Sequence, residues 1–168
     1  MSAETIQKKA ALLADWHRAL RVLQVGNFLA ATHFGRVGKR LGVPVVIATS
    51  AVSSAIFATL GDSEYRGVQL GAGFLSLLAT VLSSLQTFLG YGERAAAHKE
   101  AAVGYGELRT QVQLLLTNDL AAVADLDDRM ESLRTRWNAQ DAGAPTLPGW
   151  LLAAAEKAAA AGAKPVAS

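Results

Sequence analysis

Hydrophobic and polar positions divide the chain into stretches of two kinds. Residues 41–61 (LGVPVVIATSAVSSAIFATLG) and residues 67–92 (GVQLGAGFLSLLATVLSSLQTFLGYG) carry no charge at all. Around them, apolar positions recur at helical spacing among charged ones. Ile6, Leu13, Trp16, Leu20 and Leu23 fall near one side of an amphipathic helix predicted over residues 4–34. Residues 93–116 prolong the second uncharged block as a helix. Leu120, Val123, Leu126, Met130 and Leu133 repeat at the same period, predicting a further helix capped by Asn118 or Asp119 and running through Trp137. Asp-Ala-Gly-Ala-Pro (141–145) and Leu-Pro-Gly (147–149) then interrupt regular structure. Residues 149–168 form an Ala-rich C-terminal tail, a short helix followed by a frayed end. The fold class expected is all-α, with no internal repeat.

An α-helix rises about 1.5 Å per residue, so even the shorter uncharged block reaches roughly 30 Å, the thickness of a hydrocarbon core. Length and charge exclusion together predict two transmembrane helices, at about residues 41–61 and 67–92. The alternative is a pair of buried helices in a bundle, but a chain of 168 residues offers few amphipathic partners to wrap them. Pro44 sits near the start of the first block, where a missing N–H is tolerated, and Gly42 loosens the entry. Gly61 and Asp62-Ser63-Glu64-Tyr65-Arg66 make so short a connection that the helices must be antiparallel neighbours, a membrane helical hairpin with flanking cytoplasmic helices. Arg36, Lys39 and Arg40 precede the first span, and Arg94 and Lys99 follow the second, whereas the loop offers only Arg66. The positive-inside rule therefore predicts a multi-pass protein with the lipid bilayer as solvent and both termini cytoplasmic.

The faces of the second span differ in character. Gln69, Gly73, Ser76, Thr80, Ser83, Ser84 and Thr87 share one stripe, and leucines, Phe74 and Val81 occupy the rest. Ser50, Ser53, Ser54 and Gly61 cluster similarly in the first span, around Phe57. Two readings stand side by side. Small hydroxylated residues let helices approach and bond across an interface, or they line a water-filled path once several hairpins assemble. Continued past Arg94 and His98, the stripe meets Ala101, Tyr105, Leu108 and Val112 and turns apolar. A face opposite to its solvent in both media is an interior face, which predicts a homo-oligomeric bundle. That inference requires one continuous helix, and Gly90, Gly92, Gly104 or Gly106 can break its phase.

Composition narrows the chemistry. The hydrophobic fraction is 51% and the charged fraction 18%, against about 25% charged in an ordinary domain. The net charge of +2 is uneven: seven Lys or Arg oppose Glu4 and Asp15 in residues 1–40, and eight basic groups meet ten acidic ones in residues 93–168. No dense basic face appears, so nucleic acid is not an expected partner. Cysteine is absent, which excludes disulfides, thiolate metal sites and cysteine nucleophiles. The first 30 residues lack the apolar core of a removable signal peptide. His17, His33 and His98 show no metal-ligand spacing, although His33 and His98 both lie at the expected membrane boundary, where the hairpin can bring them together. Asp125, Asp127 and Asp128 lack the Gly and Glu of a calcium loop. Neither catalytic residues, a metal site nor a cofactor is expected.

Several motifs together resemble a known family. Arg40-Leu-Gly-Val-Pro44 enters the first span and Ser84-Leu-Gln-Thr-Phe88 closes the second. Glu93-Arg94-x-x-x-His98 follows, continued by Ala101-Ala102-x-x-Tyr105-x-x-Leu108-Arg109. In this order, over about residues 16–148, the chain resembles the SLATT family of two-transmembrane effector domains associated with bacterial nucleotide-signalling and SLOG-type sensor systems. The resemblance implies a pore-forming effector of an antiphage or conflict system, permeabilising the bacterial inner membrane when a sensor triggers it. It implies a SLATT-like domain over residues 1–148, with Glu93, Arg94, His98 and Tyr105 as a membrane-exit motif. No sensor is fused here, so a separate nucleotide-signalling protein would supply the trigger. The rival expectation is a non-conducting scaffold that recruits a cytoplasmic partner; a small transporter or holin-like protein is a third.

Overall fold

The computed structural model describes residues 2–59, 66–120, 122–123 and 125–162, without the side chains of residues 53–59, 66, 68, 69, 86 and 88. Among the described residues the protein is all-helical, with α1 (Ala3–Thr59), α2 (Arg66–Leu89), α3 (Tyr91–Thr117), α4 (Leu126–Gly143) and α5 (Gly149–Ala160). The chain divides into two compact units, one of residues 1–32 with 94–168 and one of residues 33–93.

The sequence pattern predicts a helix ending near residue 34, but α1 continues through Pro44. Ser2 caps its start, its Oγ accepting from the Thr5 N–H at 3.3 Å, and Lys8 pairs with Glu4 at 2.6 Å one turn on. Pro44 removes one backbone donor without ending the helix.

The first unit is a helical bundle built from the first half of α1 with α3, α4 and α5. Leu13 and Leu20 of α1 pack with Tyr105, Leu108 and Val112 of α3 and with Met130 and Leu133 of α4 in one core. Trp16 and Trp137 meet edge to face at 6.0 Å between ring centroids, a preferred aromatic geometry. Leu151 and Ala155 of α5 are buried as well. Their docking requires Gly26, where an added Cβ would lie 3.0 Å from Leu147 Cδ1 and 3.3 Å from Ala155 Cβ. The Ala-rich segment is thus a packed helix over residues 149–160.

The second unit contains the rest of α1 and all of α2. Phe34 stacks on Tyr91 with centroids 6.3 Å apart. Ala72 and Ala79 of α2 are buried, yet its larger apolar side chains are not: Leu70 is 78% exposed and Phe74 70%.

Among the described residues no helix is long and apolar enough to cross a membrane. This finding overturns the expected placement as a multi-pass protein of the bacterial inner membrane with both termini cytoplasmic. The two spans, and the membrane hairpin made of them, lose their support with it. The predicted connection at residues 61–65 lies outside the described residues, as do the side chains of Ser53, Ser54, Phe57 and Gln69.

Candidate functional site

Among the described side chains the hydroxyl stripe of α2 is exposed, and three of its hydroxyls bond within their own helix. Thr80 Oγ1 donates to the Ser76 carbonyl at 2.9 Å, Ser84 Oγ to the Thr80 carbonyl at 2.9 Å, and Thr87 Oγ1 to the Ser83 carbonyl at 3.1 Å. Such back-bonding satisfies a hydroxyl without a second helix. Ser83 and Thr87 also line a groove of about 880 Å³ in the second unit, whose α1 wall includes Gly35, Gly38 and Gly42. At Gly38 an added Cβ would lie 3.3 Å from Tyr91 Cβ, so the missing side chain lets Tyr91 approach α1 closely.

Beside the hydroxyls runs a second stripe. Leu70, Phe74, Leu77, Leu78, Val81 and Leu85 recur at helical spacing, and all are exposed. On α1 of the same unit Val43, Val46 and Ile47 are exposed too. No charged side chain interrupts residues 67–92.

The four residues of the exit motif occupy different environments. Glu93 and Arg94 are exposed, whereas His98 and Tyr105 are buried. They do not continue the hydroxyl stripe on one helix. Gly90 adopts the left-handed region at φ 55° between α2 and α3, which shifts the helical phase. The apolar face of α3 that includes Ala101, Tyr105, Leu108 and Val112 is covered within the chain, by residues of α1 and α4.

His98 is 3% exposed and meets Asn27, itself 1% exposed, through an Nδ1–Oδ1 hydrogen bond of 2.8 Å. Asn27 Nδ2 donates to the Leu23 carbonyl at 2.9 Å. That bond orients the amide with its oxygen toward the ring, so His98 Nδ1 carries the proton and donates. Burial lowers the pKa of His98 below its ordinary 6.5. Tyr105 donates its O–H to Asp141 Oδ1 at 2.7 Å. Burial first, and then the neighbouring Asp141 carboxylate, push the phenol well above its usual range, so the bond persists at any physiological pH. His33 contacts the ring of Phe34.

Asn27 and Asp141 are partners that helical spacing did not single out. An amide within the apolar run Val25-Gly26-Asn27-Phe28-Leu29 is the signal for the first, because a polar group on a buried face requires a partner. A further groove, of about 700 Å³, separates α3 from α4 and is lined by Gln111, Asn118, Asp128, Arg129, Ser132 and Arg136. Asp127 of the acidic run pairs with Lys9 at 2.5 Å, and among the described residues no group of acidic or histidine side chains is arranged to hold a metal ion. No family model matches the chain, and no curated protein or solved structure matches it either.

Proposed function

We propose that the protein is a non-enzymatic assembly module whose copies associate through the apolar stripe of α2. The observation that carries this reading is the stripe itself. Six large apolar side chains, Leu70, Phe74, Leu77, Leu78, Val81 and Leu85, stand exposed on one helix without a charge among them. Contiguous apolar surface of that extent is rarely left open on a monomer. A second copy is the occupant that suits it best, because an uncharged apolar stripe complements itself and holds no charge pattern to select a different partner. The small side chains alongside, bonded to their own helix, allow close approach.

The first unit supplies the recruiting surface in this reading, with the α3–α4 groove exposing Asp128, Arg129 and Arg136 to a partner protein. The resemblance to the SLATT family supports an effector or scaffold of a bacterial conflict system, triggered by a separate sensor. Conduction would add a membrane placement that no described helix supports, so the scaffold reading is the one carried forward.

Two differently tagged copies made in the same cells test the proposal. Wild-type copies co-purify, and the double variant Leu77→Ser with Val81→Ser loses most of the co-purification at unchanged expression. Equal recovery of the variant pair contradicts the proposal.

A further inference from the structure

The α3–α4 groove of the first unit carries a charge pattern that fits another face of the same chain. Its floor is apolar: Leu115 and Leu133 are buried there, and Leu114 is 59% exposed. Arg129 and Arg136 stand exposed along its α4 wall. They are seven residues apart, which puts them on one face of the helix, about 10.5 Å from each other along its axis. Arg136 Nη1 donates to Gln111 Oε1 of α3 at 2.6 Å. Tyr105 bonds to Asp141 and Gly104 lies against Gln140, so α4 runs antiparallel to α3. In that register Arg136 is level with Gln111, Ser132 with Leu115, and Arg129 with Asn118.

The complementary pattern lies on α3 itself. Glu100, Val103 and Glu107 recur at spacings of three and four on one exposed line, with Val103 49% exposed. The two carboxylates have the same seven-residue spacing as the two guanidinium groups, and an apolar side chain lies between them. Lys99 is exposed beside Glu100, as Asp128 is beside Arg129. Among the described residues none of Lys99, Glu100, Glu107, Asp128 and Arg129 is in an ion pair, and Arg136 bonds only to the neutral Gln111. Within one chain Glu100 and Arg129 are about 27 Å apart along α3. Only a second copy can bring the two patterns together.

We propose that the α3–α4 groove takes α3 of a second copy, lying antiparallel, with its Glu107 at Arg136, its Val103 over Leu114 and Leu115, its Glu100 at Arg129 and its Lys99 at Asp128. One register makes all four matches at once. It places a two-fold axis across α3 at Arg109, so each copy gives and receives the same contacts. A parallel helix would carry Lys99 to Arg136 instead of Asp128, like charge against like. The inference rests on reading the chain as a self-assembling module and names the partner of its groove. With the α2 stripe it gives each copy two separate contacts, which takes assembly beyond a dimer.

The chain has no cysteine, so disulfide cross-linking between two differently tagged full-length copies tests the register. In this pairing Val103 of one copy faces Ser132 of the other, whereas the two Ser132 positions are about 18 Å apart. Val103→Cys in one copy with Ser132→Cys in the other therefore links strongly, and Ser132→Cys with itself does not. Adding Glu100→Arg with Glu107→Arg to the first copy lowers the linked fraction about tenfold. Adding Arg129→Glu with Arg136→Glu to the second copy as well restores it, which a misfolded variant would not do. The 103–132 link survives Leu77→Ser with Val81→Ser, which separates this contact from the one through α2. Linking at 103–132 no stronger than at 132–132, while Leu77→Cys still links to itself, leaves assembly through α2 standing and overturns this proposal. A 103–132 link indifferent to charge reversal, or not restored by the double reversal, overturns it too.

Discussion

Within the core of the first unit, the Asn27–His98 pair is the contact whose removal is most informative. Both side chains are buried, and the amide bonds to the imidazole and to the Leu23 carbonyl at once. Asn27→Leu leaves the His98 Nδ1–H without its acceptor and costs about 1–3 kcal/mol in chemical denaturation. The double variant Asn27→Leu with His98→Leu removes both polar groups and recovers most of that loss. If the double variant is as unstable as the sum of the singles, the bond is not what holds the pair. The same burial sets a pH dependence. A folded-state pKa below 6.5 means that the unfolded chain binds more protons once the pH falls past that value. Stability contributed by His98 is therefore intact above about pH 6.5 and declines as the pH falls through the depressed folded-state value. His17 has a shift of the same sign, so the loss is shared. Denaturation midpoints measured down an acidic series check this, and His98→Gln flattens the slope in part.

The helices differ in how plainly their residues announce them. The spacing of His98, Ala101, Tyr105, Leu108 and Val112 was legible as one interior face of α3, because burial repeats with the helical period. What covers that face was not legible, since α1 and α4 contact it from distant parts of the chain. Asn118, read as an N-cap, instead donates to the Leu114 carbonyl at the end of α3 at 2.8 Å. The next helix starts only at Leu126, after Asp125 with φ 56°. A cap residue serves either end of a helix, and local sequence does not choose between them. Two predictions belong to this scale. Gly26→Leu forces a side chain against Leu147 and Ala155, an overpacking that costs about 1–3 kcal/mol and is localised to α5. Hydrogen exchange in residues 149–160 accelerates roughly tenfold, while α3 keeps its protection. Thr80→Leu with Ser83→Leu, by contrast, removes hydroxyls from an exposed face where Thr80 bonds only along its own helix. Stability changes by less than about 0.5 kcal/mol and association is kept or strengthened; a loss of association would assign the hydroxyls to the interface between copies.

For the molecule as a whole, an uncharged run in a sequence has two physical meanings that charge counting does not separate. Residues 41–61 and 67–92 satisfy a charge-exclusion rule, yet among the described residues no helix is long and apolar enough to cross a membrane. What the runs have in common with a span is the absence of charge on an exposed helix face, and an interface between copies needs the same property. The lack of cysteine permits a direct measurement, because a single introduced thiol can pair only with its counterpart in another copy. Cysteines placed singly at Leu70, Leu77 and Val81 on the stripe, at buried Ala79, and at exposed Ser132 on α4 are oxidised in the cells that make the protein. Dimeric bands that follow the stripe, strong at 70, 77 and 81 and weak at 79 and 132, are the predicted result. Cross-linking no greater on the stripe than at Ser132 would contradict self-association through α2.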